Sequence, residues 1–244
     1  TEDGDGEPLR VYGAFNEVDE ARFVDERIRN AIEHGSRRAE CAILYRTTAQ
    51  SRLFEESLIQ AGIPYRVYGG LRFFERAEIK DALAYLRLVA NRHDDPSFER
   101  AVNQPPRGIG PRTLDAVRAH ARDFACSLWQ AATDLLRGGA MPARAANVLR
   151  AFQNLIEEID ANSTGEALPE RASLVIEASH LREHFEKSRD GKGQDRIENL
   201  EELVNACRQF EPLDEDSGQS ELDAFLAHAA LEAGDTQADE HEDC

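Results

Sequence analysis

The chain has 244 residues, 41% of them hydrophobic, enough for a core in one large domain or two smaller ones, and no apolar run reaches the roughly 18–20 residues of a bilayer span. The formal net charge of −18 argues against a nucleic-acid partner until it is mapped: residues 1–8 carry four acids and residues 211–244 carry twelve, both without Lys or Arg, so residues 9–210 hold 29 cations against 31 acids. The body is near neutral, and the local patch rather than the total decides what it attracts.

The acidic opening lacks an initiator Met, a basic segment and an apolar segment, and so reads as a piece of something longer rather than a signal peptide. Cys41, Cys126, Cys207 and Cys244 form no C-x-x-C pair, which predicts reduced thiols and a cytoplasmic protein. Val11 to Phe15 reads as a short strand. Asn16 is an N-cap for a helix over roughly 17–34, closed by His34-Gly35. The continuous apolar run Cys41 to Tyr45 has the pattern of a strand buried on both faces. A helix follows near 49–61, and Tyr65 to Tyr68 reads as a third strand. This β-α-β-α-β order predicts an α/β fold with a parallel sheet. After Gly69-Gly70 the periodicity is helical, with helices near 75–91, 95–103, 111–124, 127–137, 142–160, 168–187, 195–209 and 219–232. Gly69 and Gly70 form the expected domain boundary and a candidate hinge, because glycine absorbs large φ/ψ changes cheaply.

Three stretches carry candidate chemistry. In Pro106-Arg107-Gly108-Ile109-Gly110-Pro111-Arg112-Thr113, two glycines precede an amphipathic helix, as in the hairpin of a helix-hairpin-helix element. Backbone can then approach a phosphate at a helix N-terminus, with Arg107 and Arg112 as added charges. The alternative is a loop that only turns the chain. Arg46, Thr48 and Arg52 follow the second expected strand, where ligands collect in open parallel sheets; the alternative is a helix cap with an ion pair from Arg52 to Glu55 or Glu56. Phe73-Phe74 beside Arg72 offers stacking on bases, or core packing at a domain junction. His180-Leu181-Arg182-Glu183-His184 spells H-x-x-E-H, but nothing nearby nominates a third zinc ligand. Gly191-Lys192-Gly193 is no P-loop, since G-x-x-x-x-G-K-[ST] occurs nowhere.

Together these residues resemble a known family. The run Cys41-Ala42-Ile43-Leu44-Tyr45-Arg46-Thr47-Thr48-Ala49-Gln50-Ser51-Arg52 and the segment from Ile63 to Arg87, with Gly69-Gly70-Leu71-Arg72-Phe73-Phe74-Glu75, are similar to the region after motif IV in superfamily 1 DNA helicases of the UvrD/PcrA/Rep type. Arg107-Gly108-Ile109-Gly110 resembles that family's GIG element, and Arg196-Ile197-Glu198-Asn199-Leu200 and Ala224-Phe225-Leu226 resemble its later landmarks. The resemblance implies an internal fragment of an ATP-dependent, 3′–5′ helicase of DNA repair. Residues 1–68 would be the first segment of the RecA-like subdomain 2A, 69–240 the helical subdomain 2B, and 241–244 a return linker. It implies single-strand contacts at Arg46, Thr48 (where the family usually has Asn), Lys80 and Arg87. It implies duplex contacts at Arg107, Gly108, Ile109, Gly110, Arg112 and Thr113. ATP and Mg would be bound by the parent protein and not by this fragment, whose chain carries neither the Walker motifs nor motifs V and VI. The implied partners are a single-strand/duplex DNA junction and DNA repair proteins, with no membrane. Two other readings stay open: a non-enzymatic helix-hairpin-helix DNA-binding module, and a protein-interaction domain docking through its acidic tail.

Overall fold

Asn16 adopts an extended conformation and its Oδ1 accepts the Asp19 amide at 2.8 Å, which fixes the start of helix α1 (Glu17–Glu33). In this computed structural model the described residues are 8–67, 71–139, 141–212 and 219–234. They fall into two units, one within residues 8–67 and one within 71–234.

In the first unit α1 packs against α2 (Ser51–Gln60), which follows a single 3₁₀ turn at Thr48–Gln50. Gly35, with φ +99, and Gly62, with φ +65, end the two helices in the left-handed region that L side chains avoid. The expected parallel sheet is not there: no strand occurs among the described residues. The segments expected to pair are extended in places but lack a ladder partner, and backbone pairing, not local propensity, makes a strand. Val11 and Phe15 are 98% and 94% exposed, and in the run Cys41–Tyr45 Leu44 is 94% exposed. That run is therefore covered on one side only, with Cys41 and Ile43 half-buried, and does not have the two buried faces its composition suggested. Tyr68, Gly69 and Gly70, and with them the expected hinge, lie outside the described residues.

The second unit is helical: α3 (Ala77–Ala90), α4 (Asp95–Ala101), α5 (Pro111–Phe124), α6 (Leu128–Arg137), α7 (Ala143–Ser163), α8 (Leu168–Ala178), α9 (Leu181–Glu186), α10 (Gly193–Gln209) and α11 (Glu221–Gly234). Helix α3 is buried almost all round, as a central helix must be, and its buried residues include Glu78 and Asp81. Ile79, Ala82, Tyr85, Leu86 and Leu88 are buried, with α4, α7, α8, α10 and α11 packed about it. Phe98, Trp129 and Phe152 join α4, α6 and α7 in near-perpendicular ring contacts, at 5.6 Å between Phe98 and Phe152. Each such pair adds about 1 kcal/mol beyond its buried area. Phe73 and Phe74 belong to this core, 1% and 3% exposed, so core packing and not base stacking is their role. A buried polar chain crosses the core: Arg76 Nη1 donates to Asn199 Oδ1 at 2.8 Å, and Asn199 Nδ2 donates to Glu78 Oε1 at 2.6 Å. Cys207 is buried and Cys41 and Cys126 half-buried, all three as free thiols.

The helix expected over 168–187 is broken. Ser179 ends α8, and His180, with φ +63, restarts the chain as α9. His180 thus precedes α9 rather than sharing a helical face with His184, and its Nδ1 lies 3.3 Å from Glu183 Oε1.

Candidate nucleic-acid interface

The loop between α4 and α5 is built from the inside outward. Tyr85, rising from α3, donates to the carbonyls of Ala101 at 3.1 Å and Gln104 at 2.6 Å. Burial pushes its phenol up to about 12, so it remains a donor at any ordinary pH. Gln104 Nε2 and Arg100 Nε both donate to Asp81, at 3.2 and 2.7 Å. Burial raises the Asp81 carboxyl above its ordinary value even though Arg100 pulls it down. Asn103 Oδ1 accepts two loop amides, Arg107 N at 2.8 Å and Ile109 N at 3.3 Å. Ile109, 3% exposed, is inserted into the core.

Pinned at Asn103 and Ile109, the loop presents its glycines. Gly108 has φ +81, and a side chain on Gly108 or Gly110 would meet open space. Gly110 caps α5 and Pro111 is its first residue, a position where the missing N–H costs nothing. The amides of Gly108, Gly110 and Arg112 have no hydrogen-bond acceptor among the described residues. Such a loop, opening a helix N-terminus, is suited to a phosphate oxygen.

The arginines divide. Arg107 faces inward: its Nη1 donates to Ala101 O and Pro105 O, each at 3.1 Å, and its Nη2 to Ser179 O at 3.2 Å. Its guanidinium also lies 5.6 Å from the ring centres of Tyr85 and Phe152. Arg100 is paired with Asp81, and Arg118 with Glu99 and Asp115. Arg112 is exposed and makes no ion pair among the described residues, and Thr113 is half-buried. Beside the loop, Arg107, Gly108, Arg144, Asn147, Val148 and Ala151 line an open groove of about 570 Å³.

The other candidate residues lie apart from this loop. In the first unit, Gln50 Oε1 accepts the amides of Arg46 at 3.0 Å and Thr47 at 3.1 Å, holding the turn on which the exposed Arg46 and Thr48 stand. Arg52 is 1% exposed and its Nη1 donates to Glu56 at 2.6 Å, so of its two readings the ion pair holds. Lys80 and Arg87 belong to the second unit, seven positions apart on α3 and hence on one side of it. Lys80 is exposed, Arg87 half-buried, and neither forms an ion pair among the described residues.

The sequence profile of the UvrD-like helicase C-terminal domain matches residues 1–244. The chain belongs to the UvrD-like helicase C-terminal domain family. Within that family it is 55% identical over 243 residues to DNA helicase II of Escherichia coli (strain K12), covering 100% of this chain and 34% of that protein. It is 49% identical to DNA helicase II of Haemophilus influenzae, over all of this chain and 34% of the relative. It is 37% identical to the ATP-dependent DNA helicase PcrA of Bacillus subtilis, over all of this chain and 32% of the relative. This UvrD-like chain therefore spans about a third of the length of the relatives it matches.

The Gly191-Lys192-Gly193 stretch is closed: a Cβ on Gly193 would stand 2.4 Å from Phe185 O, and the Lys192 amide is taken by Asp190 at 3.0 Å. Among the described residues no helix is long and apolar enough to cross a membrane. Asn103, Arg144 and Asn147 were missed from the sequence. Asn103 has no local signature, since its work is defined by two amides that the fold brings to it. Arg144 had one: residues 135–156 contain three arginines and no acid, in a chain where 47 of 244 residues are acidic.

Proposed function

We propose that this chain is the DNA-handling part of an ATP-dependent DNA helicase that moves 3′ to 5′ along single-stranded DNA during repair. The printed names of the relatives, DNA helicase II and ATP-dependent DNA helicase PcrA, support the activity of the whole protein. ATP and Mg would be handled by other parts of that protein. Residues 69–240 hold duplex DNA through its backbone without reading sequence: the amides of Gly108, Gly110 and Arg112 receive a phosphate, Arg112 adds charge, and Ile109 anchors the loop. Arg107 serves from within, keeping the loop in shape. Arg46 and Thr48 on the first unit, and Lys80 and Arg87 on α3, contact the single strand. Gly69 and Gly70 provide the pivot between the two parts. DNA repair proteins are its further partners, and the protein works in the cytoplasm.

The observation that carries this reading is the loop held by Asn103, in which, among the described residues, three amides have no acceptor and the neighbouring Arg112 has no ion pair. The test is a salt titration of binding to a fluorescent DNA hairpin with a 3′ single-stranded tail. Wild type should bind more weakly as salt rises, and Arg112→Glu should bind less tightly with a shallower dependence. Equal curves for the two proteins would sink the duplex-holding role. A protein-interaction role in place of DNA binding would leave both proteins without salt-sensitive binding.

A further inference from the structure

Helix α3 carries two sets of polar side chains on different sides. Lys80 and Arg87, seven positions apart, share one side and form no ion pair among the described residues. Asp81 and Tyr85, four positions apart, share another side and are buried. The buried side holds the glycine loop. Tyr85 donates to the carbonyls of Ala101 and Gln104, and Asp81 accepts from the side chains of Gln104 and Arg100. Arg100 Nη2 also donates to Ala77 O at 3.0 Å, which ties the end of α4 to the first residue of α3. Lys80 directly precedes Asp81, and Arg87 stands two positions beyond Tyr85. The exposed cations cannot move along or about the helix axis without dragging the loop with them. Enclosed by α4, α7, α8, α10 and α11, the helix has little freedom of its own.

We propose that Asp81 and Tyr85 are positioning residues that hold the glycine loop in fixed register with the Lys80–Arg87 side of α3, so that the second unit takes a single-strand/duplex junction as one rigid footprint. Neither residue touches DNA. The inference rests on the DNA-handling reading above, with the loop as the duplex end and Lys80 and Arg87 as the single-strand end, and adds the support that fixes their spacing. Two sites on one support bind a substrate that spans them more tightly than either part alone, provided that the substrate's own spacing matches. A loop ordered before binding also loses less entropy when the substrate arrives.

The experiment measures binding of the 244-residue chain to a hairpin with a 3′ single-stranded tail, to the same hairpin with a flexible ethylene-glycol spacer between duplex and tail, and to oligo-dT. Wild type should bind the contiguous hairpin about tenfold more tightly than the spaced one, because the spacer breaks the matched distance. Tyr85→Phe, which removes only the hydroxyl, should bring that ratio towards one and leave oligo-dT affinity unchanged. Gln104→Ala, which removes only the side-chain bond to Asp81, should lower the ratio by a smaller factor, and it keeps the question open to test if Tyr85→Phe does not fold. Equal losses on all three DNAs, with the ratio kept, would make Tyr85 a support of the fold and overturn its positioning role. A ratio at the wild-type value in both folded variants would do the same. A wild-type ratio of one, with salt-dependent binding of hairpin and oligo-dT intact, would overturn the shared footprint alone. Absence of salt-dependent binding to any of the three would remove the DNA-handling reading and this inference with it.

Discussion

Arg107 Nη2 donates to the carbonyl of Ser179, a residue 72 positions further along the chain, at 3.2 Å. In an unbroken helix that carbonyl would accept the amide of Glu183; the chain instead turns at His180 (φ +63), and the Ser179 oxygen is left for Arg107. A break in one helical hairpin thus supplies the anchor for the glycine loop of another. Three carbonyls in a fixed fork suit a planar guanidinium and not an ammonium. Arg107→Lys should therefore destabilise the second unit by about 1–3 kcal/mol, through carbonyls left without a charged donor. Urea unfolding checks this. An unaltered midpoint, together with a flattened salt dependence of DNA binding, would instead make Arg107 a direct phosphate ligand.

Asn103 holds the same loop from the other side. With both its amide bonds removed in Asn103→Ala, the Arg107 and Ile109 amides lose their acceptor. The global cost should be about 1–2 kcal/mol. The sharper readout is local: hydrogen exchange at Arg107 and Ile109 should accelerate far more than exchange in the α3 core. Uniform acceleration throughout the second unit would mean that the loop and the core open as one.

The helical part of this architecture was legible because α3 to α8 and α10 show their own periodicity; Pro111 at the first position of α5 fixed that helix to its observed bounds. The sheet was misread because Cys41 to Tyr45 has strand composition, and composition cannot supply the neighbour that a strand needs. The break at Ser179–His180 was invisible for a related reason. No glycine or proline marks it, and a non-glycine residue in the left-handed region is stabilised by tertiary contacts, here the burial of Ser179 and the carbonyl bond to Arg107. The glycine loop itself could be found from spacing. The inward turn of Arg107 could not, because its partners lie at Ala101, Pro105 and Ser179. Asn199, noted only as part of a family landmark, proves to be the bridge between Arg76 and Glu78.

Two glycines make a contrasting pair. Gly108→Ala places a methyl group in open space at φ +81, so its cost should be conformational alone, about 1–2 kcal/mol. Gly193→Ala drives a methyl group to 2.4 Å from the Phe185 carbonyl, and the α9–α10 junction has to move. The second change should cost more, roughly 3 kcal/mol or above, within the range of overpacking at a rigid site. Under the proposed duplex-holding role, duplex affinity should show the reverse order, since Gly108 belongs to the glycine loop before α5 and Gly193 does not. Thermal unfolding and hairpin binding on the two variants test the pair, and a Gly193→Ala protein as stable as Gly108→Ala would refute the steric argument.

The α9–α10 junction also carries a pH signature. Asp190 accepts the Lys192 amide at 3.0 Å and the Ser188 hydroxyl at 2.8 Å, and lies 2.7 Å from Arg196 Nη2. These partners, the Lys192 amide foremost, hold its carboxyl at about 2, below the ordinary 3.8. A depressed folded value means that the turn gains its support above the ordinary value and loses it as pH falls through about 2. The Lys192 amide resonance should therefore titrate with a midpoint near 2, and Arg196→Ala should move that midpoint upward. A wild-type midpoint at the ordinary carboxylate value would show that Asp190 is solvated and that the junction is held by Gly193 packing alone.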